Sequence, residues 1–288
     1  MQNSKFFKST KIAEGTIRIT GPGRVYCYLL EGGNKALLID NQSGIGNIAE
    51  YCRELTNLPV ITAVTHGHLE HCAGSFAFDE VFIHPSDIDF MYKWSAVELR
   101  EDYVRGQNKK HNETLEWGPQ DLTEIKEIRC IPLKEDITFD LGGRVVEVVE
   151  TPGHTRGSVC FLDRKNRLMF AGDCCNSNTV LFTGDKLNPA TIEEYLVSLK
   201  KLKKLQDAFD TYYISHVENP VDKSCIDDCI ECCEQIMAGT DEAEHREFFD
   251  FDCYYAKKMG KSKEGYISRL DGRIGNIAYS KDNIFMKK

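Results

Sequence analysis

No segment of the chain approaches the roughly 18 consecutive apolar residues of a membrane span. The opening MQNSKFFKSTKIAEGTIRIT carries lysines without the apolar stretch of a signal peptide. These absences lead us to expect a cytoplasmic protein without membrane contact. Positive charge is also short: 36 Lys and Arg stand against 45 Asp and Glu, a net charge of -9. With no basic run to neutralise phosphates, nucleic acid is not an expected partner. Twelve cysteines are present, but scattered through a long chain with no secretory signal, so reduced thiols are expected rather than a disulfide framework. A hydrophobic content of 41% suffices for an ordinary buried core. Histidine is sparse, with eight in 288 residues, so where those eight fall is informative.

Hydrophobic patterning gives alternating strands and helices. Ile17 to Thr20, Val25 to Leu30 and Lys35 to Asp40 read as short strands separated by Gly21-Pro22-Gly23 and Gly32-Gly33-Asn34. Residues 46 to 56 read as a helix, "PVITAVT" (59 to 65) as a buried strand and Val81 to His84 as another. The polar stretch 86 to 128, with Tyr92, Trp94, Tyr103 and Trp117, reads as a mainly helical insertion. Two hairpins follow, at 137 to 154 about Gly142-Gly143 and at 158 to 173 about residues 163 to 166. From Thr191 an amphipathic helix aligns Ile192, Tyr195, Leu196, Leu199, Leu202 and Leu205, and "TYYISH" (211 to 216) is a strand ending in histidine. Residues 219 to 258 read as further helix and 266 to 279 as a terminal hairpin turning at Asp271-Gly272. Two halves, each of strands followed by helix, with no evident linker, predict one α/β domain over 1 to 288: a sandwich with helices on both outer sheet faces, and a C-terminal helix-hairpin extension over 219 to 288.

The segment "THGHLEH" places His66, His68, Glu70 and His71 directly behind a predicted strand. Imidazole and carboxylate suit zinc, iron or manganese, and a loop after a strand can converge on a cation without disturbing the sheet. Spacing of two puts His66 and His68 on one side of an extended segment, while Glu70 and His71 follow as the chain turns into a helix. One motif can thus serve two ions. Three more candidates each close a predicted strand: His154 in "TPGHTRGS", Asp173 in "FAGD" and His216 in "YYISH".

In these four motifs and their order, over roughly residues 16 to 220, the chain resembles the metallo-β-lactamase superfamily of metallohydrolases, with its pattern H-x-H-x-D-H, P-G-H-T-x-G-S, G-D and a late strand-terminal histidine. The resemblance implies a four-layer αββα sandwich with two divalent metal ions, zinc first and iron or manganese as alternatives, at one edge between the sheets. His66, His68 and His154 would bind the first ion, Glu70, His71 and His216 the second, and Asp173 would bridge them. Asp40, ending "ALLID", resembles an acid that supports the metal-site loops in the family; a plain turn carboxylate is the alternative.

One position departs from the pattern. Glu70 stands where most of the family has aspartate, and its carboxylate sits about 1.5 Å further out. That is large beside the tolerance of about 0.2 Å usual for ligand distances. The expected chemistry is hydrolysis, since a divalent cation lowers the pKa of bound water towards ~7, and a pair of ions about 3.5 to 4 Å apart can hold a bridging hydroxide and polarise the substrate. Glu70 would be the catalytic acid-base group. The substrate is expected to be a small molecule with an ester, thioester, lactone or related bond; thioesterases of the glyoxalase II type are one branch of the superfamily. An iron-dependent redox enzyme of the persulfide dioxygenase kind and a non-catalytic metal-binding protein are the alternatives. Cys225, Cys229, Cys232 and Cys233 share one helical face and read as core packing, as do Cys72, Cys174 and Cys175. His84 reads as structural, and His111 and His245 as exposed.

Overall fold

The computed structural model describes residues 4–184, 187–248, 251–261 and 267–287. Its first sheet runs in chain order. Strands β1 (Lys8–Ala13), β2 (Thr16–Thr20), β3 (Tyr26–Glu31) and β4 (Ala36–Ile39) form an antiparallel meander. Then β5 (Val60–Ala63), β6 (Glu80–Ile83) and β7 (Arg129–Pro132) add in parallel. Parallel neighbours need crossovers. Helix α1 (Ile48–Leu55) supplies the first, α2 (Leu69–Cys72) lies in the second, and α3 (Ile88–Trp94) and α4 (Val97–His111) occupy the third. The β1 strand escaped sequence reading because it is an edge, with Lys8 and Lys11 turned to solvent and little apolar alternation.

Strands β8 (Thr138–Asp140), β9 (Val145–Glu150), β10 (Val159–Asp163) and β11 (Leu168–Phe170) form the second sheet through the two expected hairpins. Gly142 and Gly143, at φ +86° and +77°, make the first turn. The next strand, β12 (Thr179–Leu181), leaves this sheet, and β13 (Thr211–Tyr213) returns to pair with β11 in parallel. Tyr28, Leu30, Leu37 and Ile39 from the first sheet meet Val146, Val148, Phe161 and Phe170 from the second in a buried layer. Helix α1 covers the outer face of the first sheet through Ile48, Tyr51 and Cys52. Helices α5 (Ile192–Lys204) and α6 (Cys225–Ala238) cover the outer face of the second. Thr191 and Glu194 fix the start of α5 by capping each other's backbone N–H groups. The result is the expected αββα sandwich. No helix among the described residues is long and apolar enough to cross a membrane.

The insertion is mainly helical as expected, through α3 and α4, the latter capped by Asn112 in the left-handed region. Two expectations are corrected. The expected helix over 219 to 258 is confined to α6, which stops at Gly239 (φ +67°), and β14 (Glu244–Phe248) and β15 (Phe251–Tyr255) follow as an antiparallel pair. Residues 249 and 250 of that stretch lie outside the described residues, as does Tyr266 at the start of the expected terminal hairpin. That hairpin does not form. Instead β16 (Met259–Lys261) pairs with β17 (Ile267–Arg269), while β18 (Ile277–Tyr279) joins β15 and, in parallel, β12. The carboxylate of Asp228 on α6 accepts the backbone N–H of Ile274 and Gly275, and Arg269 donates to the Gly275 carbonyl. These bonds hold 270 to 276 as a loop against α6.

Candidate metal centre

The site begins where β4 and β5 end. Asp40 follows β4 in the left-handed region (φ +60°), which turns its carboxylate under the next strand's loop. There it accepts from Thr65 N at 2.7 Å, Thr65 Oγ1 at 3.0 Å and Ser215 Oγ at 3.2 Å, and meets His71 Nδ1 at 2.9 Å. One buried carboxylate thus ties the segments before His66, His71 and His216. Beyond β5 the chain is extended at His68, which precedes the first turn of α2, so Glu70 and His71 swing onto the side facing Asp173 and His216.

The ring orientations follow from what holds each far nitrogen. Thr65 donates its hydroxyl proton to Asp40, so its oxygen is left to accept from His66 Nδ1 at 3.0 Å. His154 Nδ1 donates to the Val180 carbonyl at 3.0 Å. Both rings therefore present Nε2 as a lone pair. His68 offers Nδ1 instead, 3.0 Å from His66 Nε2 and 2.9 Å from His154 Nε2. His71 Nε2 stands 3.3 Å from His216 Nε2, and Asp173 Oδ2 lies 3.0 Å from His216 Nε2 and 3.7 Å from both His71 and His154 Nε2. Three groups result, each with its donor atoms within 4.8 Å of one another: His66, His68, His154; His66, His71, Asp173; and Glu70, His71, His216. All seven side chains singled out in the sequence are brought together.

The donors fit divalent cations. Around His68 Nδ1 two imidazole lone pairs compete for at most one proton, so hydrogen bonding alone cannot satisfy the contact. Asp173 Oδ1 is buried without any partner. Nitrogen and carboxylate oxygen in this proportion suit zinc, iron or manganese. Burial, with the neighbouring imidazoles, pushes the pKa values of His66 and His68 far below the ordinary range, so both are neutral. Burial opposes charge on His71 as well, but Asp173 and Asp40 outweigh it and lift its pKa to about 9. Burial likewise works against the Asp173 carboxylate, yet His216 and His71 hold its pKa well below the usual range.

One important residue escaped sequence reading. Asp87, fully buried, accepts from Gly67 N at 2.9 Å, Thr155 Oγ1 at 2.6 Å, Gly157 N at 3.1 Å and Asn188 Nδ2 at 3.3 Å. It clips the His66–His68 loop to the turn that carries His154. Its only sequence signal is an acid at the helix start in "FIHPSD", beside His84; that histidine accepts from Ser86 N, as a structural residue would. Of the insertion's aromatics, Tyr92 bonds to the Ile128 backbone and Trp117 donates to Glu101. Phe90 meets His68 in an edge-to-face arrangement with centroids 5.3 Å apart. Cys225, Cys229, Cys232 and Cys233 are buried between α6, α5 and the second sheet, and all twelve cysteines are free thiols.

The profile of the metallo-β-lactamase superfamily matches residues 20–216, and the chain belongs to that family. An acyl-coenzyme A thioesterase of Gallus gallus, MBLAC2, is 26% identical over 200 residues, covering 64% of this chain and 68% of the relative. The atrochrysone carboxyl ACP thioesterase of Aspergillus fumigatus is 26% identical over 182 residues, 62% of this chain and 46% of its own. Among solved structures, a metallo-beta-lactamase from Pontibacter korlensis superposes with a TM-score of 0.55 at 16% identity, covering 78% of this chain and 97% of that one.

Proposed function

We propose that this protein is a metal-dependent hydrolase of small acyl thioesters, holding two divalent ions, zinc first. The carrying observation is the convergence of His66, His68 and His154 on one side and Glu70, His71 and His216 on the other, with Asp173 between them. Support for the bond type comes from the relatives, two of which bear thioesterase names. When bound, the ions would supply a nucleophile from water at neutral pH and polarise the acyl oxygen. Asp40 and Asp87 keep the ligand loops in place, and Asp173, ionised among imidazoles, spans the two groups. The Glu70 carboxylate, beside His71 and His216, takes the proton that water gives up as its oxygen bonds to the acyl carbon. It passes that proton to sulfur as the C–S bond breaks, leaving acid and thiol. We place the protein in a reducing compartment, the cytoplasm, in keeping with twelve unpaired cysteines.

A metal-content measurement coupled to a screen of thioesters, lactones, phosphodiesters and β-lactams tests the reading. Metal-loaded protein should cleave thioesters in preference to the others. The variants His66→Ala and His154→Ala should each lose most bound metal and activity, since each deletes one of the three histidine ligands at the first position. Unchanged stoichiometry in both would remove the assignment, and preference for another bond would change the substrate class.

A further inference from the structure

The sequence puts a cation, Arg18, between two isoleucines in the middle of β2. Only 9% of its side chain is exposed, so the guanidinium depends on partners inside the protein. Those partners are specific. Nη2 donates to the Glu218 carboxylate at 2.8 Å, Nη1 donates to the Glu218 backbone carbonyl, and the guanidinium carbon lies 5.2 Å from the centroid of the Tyr26 ring. The Glu218 side chain is 64% exposed, and an ion pair that open to water contributes little. The bond to the backbone carbonyl is the informative one.

Glu218 lies two residues beyond His216, in the loop that leaves β13 and closes where Val221 donates its N–H to the Tyr212 carbonyl at 2.9 Å. The near side of His216 is held three times over. Ser215 donates its hydroxyl to Asp40 at 3.2 Å and its N–H to the Gly172 carbonyl at 3.1 Å, and its own carbonyl accepts from Tyr26 N at 2.8 Å. On the far side, among the described residues, Arg18 alone bonds to residues 217 to 220. Both anchors come from one patch of the first sheet, since Tyr26, whose N–H holds Ser215, also carries Arg18 on its ring. His216 relies on its loop more than His71, His154 or Asp173 rely on theirs: 34% of its side chain is exposed, against 10% or less for those three. Packing cannot hold such a ring, so the backbone on either side of it must.

We propose that Arg18 is the positioning residue for His216: by fixing the backbone beyond the histidine, it keeps the ring directed at the group formed with Glu70 and His71. It touches neither metal nor substrate, and the role rests on the two-ion reading above. Ligand distances tolerate only about 0.2 Å of error. A loop tied on one side alone would present His216 over a spread of positions, weakening the ion that needs it and sparing the group of His66, His68 and His154.

The test is stepwise zinc titration of apo-protein against a chelator. Arg18→Leu should weaken one of the two ions by about tenfold and leave the other unchanged. Arg18→Lys, which can still donate to the Glu218 carbonyl, should recover most of the loss, and Glu218→Ala, which keeps that carbonyl, should bind both ions as the parent does. Should Arg18→Leu not fold, Arg18→Gln takes its place, with the same loss in smaller degree. Adding Arg18→Leu to His216→Ala should weaken metal binding no further than His216→Ala alone, because a residue that acts through the histidine has no effect once the histidine is gone. The proposal is overturned by unchanged affinities in Arg18→Leu, by equal weakening of both ions, by an Arg18→Leu effect that persists without His216, or by Glu218→Ala matching Arg18→Leu. If the parent takes up one ion only, the two-ion reading falls, and motion of the His216 ring in apo-protein, measured by NMR relaxation, decides for Arg18: greater motion in Arg18→Leu upholds the role, and equal motion ends it.

Discussion

Glu70 sits where a one-carbon difference matters. Its carboxylate shares a group with His71 and His216 in which donor atoms lie within 4.8 Å, so the longer arm already reaches the other two side chains from its place in the first turn of α2. Asp40 and Ser215 fix His71 and the His216 segment from behind, and neither can follow a shortened residue 70. Glu70→Asp should therefore open a gap rather than restore a tighter site, weakening metal uptake at the group of Glu70, His71 and His216 by about tenfold or more, the scale on which changes around a ligand act. Hydrolysis should fall with it. Stepwise metal titration of apo-protein in both forms decides the matter, and tighter binding by Glu70→Asp would show that the loops are built for aspartate.

At the level of elements, the site is two loops joined by a carboxylate. Asp87, at the start of α3, accepts two backbone N–H groups and a hydroxyl drawn from both the His66–His68 loop and the His154 turn. In Asp87→Ala those three donors are left buried, at about 1–3 kcal/mol each. The expected result is a lower Tm together with a 10–100-fold weaker hold on metal in chelator competition. A variant that unfolds earlier yet binds metal as tightly would limit Asp87 to a packing role. This element also shows what a single sequence can reveal. The seven candidate ligands were legible because each lies in a loop or first helical turn soon after a strand, in a short motif with its own spacing. The two hairpins of the second sheet and the cysteine face of α6 were legible for the same local reason. Asp87 carries no such pattern, because its partners lie 20 and about 70 positions away. The parallel pairing of β12 with β18 is equally silent, since register between strands about a hundred residues apart leaves no periodicity in either.

Across the whole molecule, that same pairing links the C-terminal strand β18 to the group formed by His66, His68 and His154. Strand β18 holds β12 in register, Val180 opposite Ala278, and the Val180 carbonyl accepts from His154 Nδ1. Asn283 reinforces the arrangement from further along: its side-chain amide donates to the carbonyls of Leu181 and Ala190, both at 2.9 Å. Leu181 follows Val180, and Ala190 in turn donates its N–H to Gly153, the residue before His154. The turn that carries His154 is thus fastened on two sides by one buried amide. In Asn283→Ala both carbonyls lose their donor, and the His154 ring loses definition because the strand behind it is no longer pinned. We expect a Tm decrease and about a tenfold loss of affinity at the position formed by His66, His68 and His154, with the Glu70, His71 and His216 position less affected. Leu270→Ala, at a side chain that is 69% exposed, serves as the control from the same C-terminal region. Equal metal affinity for Asn283→Ala and the parent, measured against a chelator, would mean that the C-terminal sheet stabilises the fold without acting on the site.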